Sequence, residues 1–134
     1  MNPSLGSFFP RKLRKSFVRR NLKRGAVLRM RVTFTTPPKT KRFVFWGFNS
    51  KYDKIGVSVF NSKINPQKSK TKELRALQLF FSGDNDFLDH DSYLDCSQIY
   101  EVDSDKLIEK LEEDPGCYLG CLLPVSYTHL RAHE

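Results

Sequence analysis

The chain has 134 residues, 39% of them hydrophobic, with 23 Lys and Arg against 15 Asp and Glu and a formal net charge of +8. That length suits one hydrophobic core, the composition is that of a folded chain, and no apolar run approaches the roughly 20 residues a membrane helix needs. Cys96, Cys117 and Cys121 are too few and too unevenly placed for a disulfide framework, which points to a reducing compartment and a cytoplasmic location.

Charge is divided between the two halves. Met1 to Ser82 holds 20 Lys and Arg and only two acids, Asp53 and Glu73, whereas Gly83 to Glu134 holds 3 and 13. A surface carrying the first half's charge attracts and steers polyanions, so nucleic acid is the leading partner class. The acidic half can also neutralise the basic one, within a monomer or across a dimer, and a merely solvated basic surface is the plain alternative.

In chain order, Arg11 to Arg24 (RKLRKSFVRRNLKR) packs eight basic residues into fourteen, with Phe9, Leu13 and Phe17 at helical spacing. A nucleic-acid arm, a targeting segment and sequence upstream of the true start codon are competing readings. Because it precedes the first strand, residues 1–23 are expected to be an appendage. From Ala26 the pattern is β: Ala26, Leu28, Met30, Val32 and Phe34 alternate with Val27, Arg29, Arg31, Thr33 and Thr35, giving a strand with a basic outer face. Pro37 and Pro38 open a Lys-rich turn, Lys39 to Lys41. Phe43 to Phe48 predicts a strand covered on both faces, and Ile55 to Phe60 its hairpin partner.

Asn61 to Lys72 reads as a basic polar loop, and Leu74 to Phe81 as a fourth strand, with a helix as competitor because LRALQL suits helical propensity. An acidic loop, Gly83 to Asp91, leads to a strand through Ser92 to Ile99. Asp103 or Ser104 can cap a helix carrying Leu107, Ile108 and Leu111, ended by Pro115 and Gly116, before a last strand from Tyr118 to Leu122. Val125 to Glu134 (VSYTHLRAHE) closely resembles a translated sequencing adapter, so 124–134 is expected to be a non-native tail. His90 is then the one native histidine.

No metal or other cofactor is expected. An EF-hand started at Asp84 has Leu88 at position five, Asp89 where Gly is needed and Asp95 where Glu is needed. If Tyr118 to Leu122 is a strand, Cys117 and Cys121 lie about 13 Å apart at roughly 3.3 Å per residue, too far to share a zinc ion. The cysteines read as small core residues. Tyr93 and His90 flank no evident nucleophile, so a hydrolase triad has no support.

PPKTKRFVF, the hairpin ending VFNSKIN, and HDSYLDCSQIYEV followed by a helix resemble the PemK/MazF-like toxin family over about residues 24–123. The resemblance implies a mainly β domain with a short helix, a small SH3-like barrel whose C-terminal helix is missing from this chain. It further implies a metal-independent endoribonuclease of toxin-antitoxin type acting on single-stranded RNA through the RNA's own 2′-hydroxyl, as a homodimer with an antitoxin protein as partner and no membrane. Arg42, with Lys41 beside it, takes the position of the family's basic residue before strand two, and Ser62, beside Asn61, that of its hydroxyl-bearing residue after strand three. Arg42 and Ser62 are thus the candidate catalytic pair. Arg29, Arg31, Lys39, Lys41, Asn61, Lys63 and Tyr52 are candidate RNA-binding residues, with Tyr52 and Phe60 as stacking platforms. The chain departs from the family with Gly25-Ala26 in place of Gly-Asp and Arg42-Phe43 in place of Arg-Pro. The alternative is a non-catalytic nucleic-acid-binding barrel.

Overall fold

The computed structural model describes residues 11–67 and 69–122. In chain order its elements are α1 (Arg11–Asn21), β1 (Ala26–Val32), β2 (Lys39–Phe48), β3 (Lys54–Asn61), α2 (Lys72–Ala76), β4 (Gln78–Phe81), β5 (Ser92–Asp95), β6 (Tyr100–Asp103), α3 (Ser104–Glu113), a 3-10 turn at Pro115–Cys117, and β7 (Tyr118–Cys121). The strands form one antiparallel sheet in the order β4-β5-β3-β2-β1-β7, with β6 also paired to β3. The protein is mainly β, and the sheet curls into a half-barrel.

Alternation along the central strands produces two cores, one on each face. Leu28, Met30, Phe43, Phe45, Ile55 and Val57 face one way and are covered by Leu107 and Leu111 of α3 and Val18 of α1. Val27, Val44, Phe60 and Leu94 face the other way, under Phe87, Leu88 and Leu122. Burying each large apolar side chain contributes about 1.5–3 kcal/mol. Lys39 to Lys41 are not a turn but the start of β2, because Val32, Arg31 and Met30 of β1 stand opposite them and satisfy the ladder. The β2–β3 turn is held by Asn49, whose side-chain oxygen accepts the backbone N–H groups of Asp53 and Lys54, both at 3.1 Å.

β3 changes partner along its length. Lys54 to Val57 pair with β6, whereas Phe60 and Asn61 pair with β5. The strand expected through Ser92 to Ile99 is correspondingly broken. Asp95 turns its carboxylate back to accept the Ser97 backbone N–H at 3.0 Å, which ends β5 in a side-chain-closed turn, and the chain re-enters the sheet as β6. The expected strand Leu74 to Phe81 is likewise only partly strand. Thr71 caps α2 by accepting the Leu74 N–H at 3.1 Å, and β4 begins at Gln78.

Asp103 is the N-cap of α3 without a side-chain capping bond, and the Ser104 hydroxyl donates instead to the Tyr52 carbonyl at 2.8 Å, tying the helix to the β2–β3 turn. Cys96 and Cys117 are half-buried, and burial pushes both thiols up, Cys117 to about 11. Cys121 is exposed on β7 and is not a core residue. No helix among the described residues is long and apolar enough to cross a membrane. The expectations for 124–134 and for a missing C-terminal helix lie outside the described residues.

The segment 1–23 is not an appendage over its described part. In α1, Val18 is 5% exposed within the first core, and Phe17 meets Tyr118 edge-to-face with ring centroids 5.9 Å apart. Phe17, Val18 and Leu22 therefore lie against the fold, whereas Leu13 is exposed, as are Lys12, Lys15, Arg19 and Arg20. Val18→Ala is expected to destabilise the protein by about 2 kcal/mol, from lost transfer energy and the cavity left behind. A denaturant midpoint unchanged by this substitution would show that α1 contributes nothing to the fold.

Candidate functional site

Where β3 switches from β6 to β5, the sheet opens into a cleft of about 500 Å³. Lys39 and Lys41 of β2, Asn61 at the end of β3 and Lys63 beyond it line one side, and Gln78, Asp95 and Tyr100 the other. Lys41 Nζ donates to Asn61 Oδ1 at 2.8 Å. Burial, followed by the neighbouring charge of Lys39, holds the Lys41 ammonium below its ordinary pKa. Gln78 Nε2 donates to the buried Asp95 carboxylate at 2.7 Å, and Ser97 Oγ bonds to the same oxygen. Tyr100 stacks on Phe34 with centroids 4.3 Å apart and planes 12° from parallel. The cleft thus offers ammonium donors, an amide and an aromatic pair, the groups that hold a phosphate and a base.

A second cavity, about 200 Å³, adjoins the first across Lys41 and Ser62, which line both. Arg42, Ser62, His90 and Ser92 surround it. Arg42 follows Lys41 on β2 and so projects from the opposite face of the sheet, the face of Val44. Phe60 and Ser62 follow the same alternation at the end of β3, which is why Arg42 and Ser62 meet despite their separation in sequence. Arg42 Nη1 lies 3.3 Å from Asp89 Oδ1, and Asp89 in turn lies 2.5 Å from His90 Nδ1. Arg42 Nε is buried with no hydrogen-bond partner among the described residues. The hydrogen bond from His90, then the charge of Arg42, holds the Asp89 carboxyl below its ordinary value.

The acidic loop that delivers Asp89 and His90 is pinned at its ends. Gly83 donates its backbone N–H to Asp91 at 2.7 Å, and a Cβ at Gly83 would stand 2.7 Å from the His90 carbonyl carbon. Only glycine allows this approach, which sets His90 beside Arg42. Phe87 and Leu88 then anchor the loop in the second core.

Arg42 and Ser62 therefore share one cavity, and Lys39, Lys41, Asn61 and Lys63 share the cleft beside it. Arg29 stands directly opposite Arg42 on β1 and Arg31 opposite Thr40, so both exposed side chains extend a basic strip on Arg42's face. Tyr52 is not part of this group. It occupies the β2–β3 turn at φ 59°, at the other end of the hairpin, roughly 23 Å away at 3.3 Å per residue along β3. Phe60 is 5% exposed, packed edge-to-face on Phe81, and offers no stacking surface. The stacked pair Phe34–Tyr100 is the aromatic feature sequence reasoning missed. His90 and Asp89 are the other, since their partner Arg42 lies 47 residues away in sequence.

Because the Asp89 carboxyl is depressed in the folded state, its contribution is present above the ordinary value of 3.8 and is lost as pH falls through the lower folded value. An NMR titration should place the Asp89 midpoint below 3.8, and His90→Ala should move it upward; an unmoved midpoint would remove His90 as the main cause. Comparison with protein-family models, curated proteins and solved structures gave no match.

Proposed function

We propose that the protein is a metal-independent endoribonuclease of toxin-antitoxin type, an SH3-like barrel of the PemK/MazF kind, that cleaves single-stranded RNA at the junction of the two clefts. The observation that carries this reading is the meeting of Arg42, Ser62 and His90 around one cavity, with a lysine-lined cleft alongside. The RNA backbone crosses Lys39, Lys41 and Lys63, and a base lies against Tyr100.

In the cleavage step the RNA's 2′-oxygen attacks the adjacent phosphorus, forming the 2′-O–P bond and breaking the P–O5′ bond to leave a 2′,3′-cyclic phosphate. His90 accepts the 2′ proton at Nε2, since Nδ1 is engaged by Asp89. Arg42 stabilises the charge that develops on the phosphorane. The departing 5′-oxygen takes a proton relayed from water through the Ser62 hydroxyl. No step needs a metal. An antitoxin is the protein partner that the family resemblance implies.

The test is incubation with single-stranded RNA in EDTA. Fragments ending in cyclic phosphate are expected, with Arg42→Lys reducing turnover about a hundredfold to a thousandfold while RNA binding persists, because the ammonium keeps the charge and loses the planar fork. His90→Ala should lose activity on a similar scale, and Ser62→Ala less. Binding without cleavage would assign the protein instead as a nucleic-acid-binding module.

The exposed cations of α1 add affinity that does not depend on RNA sequence. Replacing Lys12, Lys15 and Arg19 together by Ala, which leaves the buried face of the helix intact, should flatten the slope of log K against log salt by up to about 2, at roughly 0.7 per phosphate contact. An identical slope in the variant would exclude α1 from the interface.

A further inference from the structure

The face of the sheet that carries the larger cleft continues across β5 and β4. Asn61, which lines the cleft and accepts from Lys41, stands opposite Tyr93 of β5, and Tyr93 stands opposite Phe80 of β4. Residues opposite one another in antiparallel strands point to the same side. Two residues along, Gln78 and Asp95 form the same kind of pair, bond each other at 2.7 Å and line the cleft, which fixes Tyr93 and Phe80 on the cleft's face. Phe81 follows the alternation by turning to the other face, where it packs on Phe60 and Phe87. At about 4.8 Å per strand, Phe80 stands roughly 10 Å from Asn61.

Phe80 belongs to neither core and is 57% exposed. Its ring meets that of half-buried Tyr93 edge-to-face, with centroids 5.6 Å apart. An exposed ring forgoes the stabilisation that burial would bring. The charges beside it identify its ligand. Lys39, Lys41 and Lys63 line the adjoining cleft, and the one acid there, Asp95, is buried and bonded to Gln78 and Ser97. Cations beside an exposed aromatic pair suit a chain that alternates phosphates with flat bases. An apolar peptide would cover the ring and leave the lysines unmatched.

We propose that Phe80 and Tyr93 form a stacking platform for one base of a single-stranded RNA, outside the cleft and separate from the Phe34–Tyr100 pair within it. The strand crosses from the lysines over Asn61 to β4. This inference rests on the RNA reading of the cleft but on no step of cleavage. It extends the bound strand beyond the scissile phosphate, so affinity depends on a base that takes no part in the chemistry.

Fluorescence anisotropy with the full chain and a labelled 2′-O-methyl RNA of roughly ten nucleotides, within the usual span of single-strand sites, tests it. The capped 2′-oxygen cannot attack phosphorus, so binding is read apart from cleavage. Phe80→Ala is expected to weaken binding about fivefold to 150-fold, the range for one base stacked on one ring. The slope against log salt should stay unchanged, because no phosphate contact is lost. Phe80→Trp should keep the affinity, whereas Phe80→Leu, apolar but without a π-face, should not. Removing one base at a time from the probe should find a position whose loss weakens the wild type and leaves Phe80→Ala unaffected, since two changes at one contact do not add. Far-UV circular dichroism should be the same in all three variants, because the ring is already exposed. Wild-type affinity in Phe80→Ala, or equal affinity in Phe80→Leu and Phe80→Trp, overturns the proposal and gives the ring to a protein partner, even where RNA is cleaved. A platform that binds the probe in a protein that leaves unmodified RNA intact overturns the cleavage reading alone. A wild type that binds no probe overturns both.

Discussion

The change of partner along β3 is the constraint on which the site depends. A strand paired uniformly along its length would close the sheet and bury the end of the hairpin. Because Lys54 to Val57 pair with β6 and Phe60 and Asn61 with β5, the two partner strands diverge and a cleft opens between them. Asp95 creates the divergence by folding its carboxylate onto the Ser97 N–H, and the Gln78 bond holds that carboxylate in place. A buried carboxylate requires such hydrogen bonds to offset its lost hydration. The polar groups that shape the cleft are therefore also the ones that break the strand, and replacing them by apolar residues would alter the sheet as well as the surface.

From this opening the pleat distributes the chemistry. Successive residues of β2 leave opposite faces, so Arg42 lines only the smaller cavity, while Lys41 and Ser62 stand at the junction and line both. The guanidinium is not left as a bare charge. Asp89 pairs with it at 3.3 Å, but with 61% of the Asp89 side chain exposed the pair is screened and an incoming phosphate can compete for the same donor. A fully buried pair would hold the guanidinium far more firmly. The ion pair therefore orients the side chain without committing it.

Much of the fold was legible in the sequence where one periodicity dominates. β1, the hairpin of β2 and β3, α3 and β7 are all announced by alternation, by a helical stripe or by turn residues. The failures occur where tertiary pairing overrides a local pattern. Lys39 to Lys41 look like a turn but are strand because β1 supplies their partners, and Leu74 to Ala76 look like strand but are helix because Thr71 caps them. The basic cluster before Gly25 was read by its charge, which concealed that Phe17 and Val18 belong to the core. At the site, Arg42 and Ser62 are picked out by the family resemblance, and nothing in the sequence points to His90. Nothing local shows that a loop anchored by Phe87 and Leu88 returns across the sheet to β2, and the glycine that permits it, Gly83, is indistinguishable in sequence from an ordinary loop glycine.

The uneven charge of the chain acquires a spatial meaning once the elements are placed. α1 carries six cations and no acid, and it packs on α3, whose Asp105, Glu109, Glu112 and Glu113 are opposed by Lys106 and Lys110. Compensation between these helices is partial, and the excess positive charge of α1 remains in solvent. The acids that approach the two cavities do so singly, Asp89 on Arg42 and Asp95 beneath the lysine-lined cleft, each bound to a specific donor. The acidic half therefore does not neutralise the basic half as a whole. It supplies local orienting groups and leaves Arg29, Arg31 and Arg42 on one face of the sheet and Lys39 and Lys41 on the other, the two meeting where Lys41 and Ser62 line both cavities. At physiological ionic strength, where charges are screened beyond about 8 Å, such local arrangements rather than the net charge of the molecule set the potential at each point of the surface.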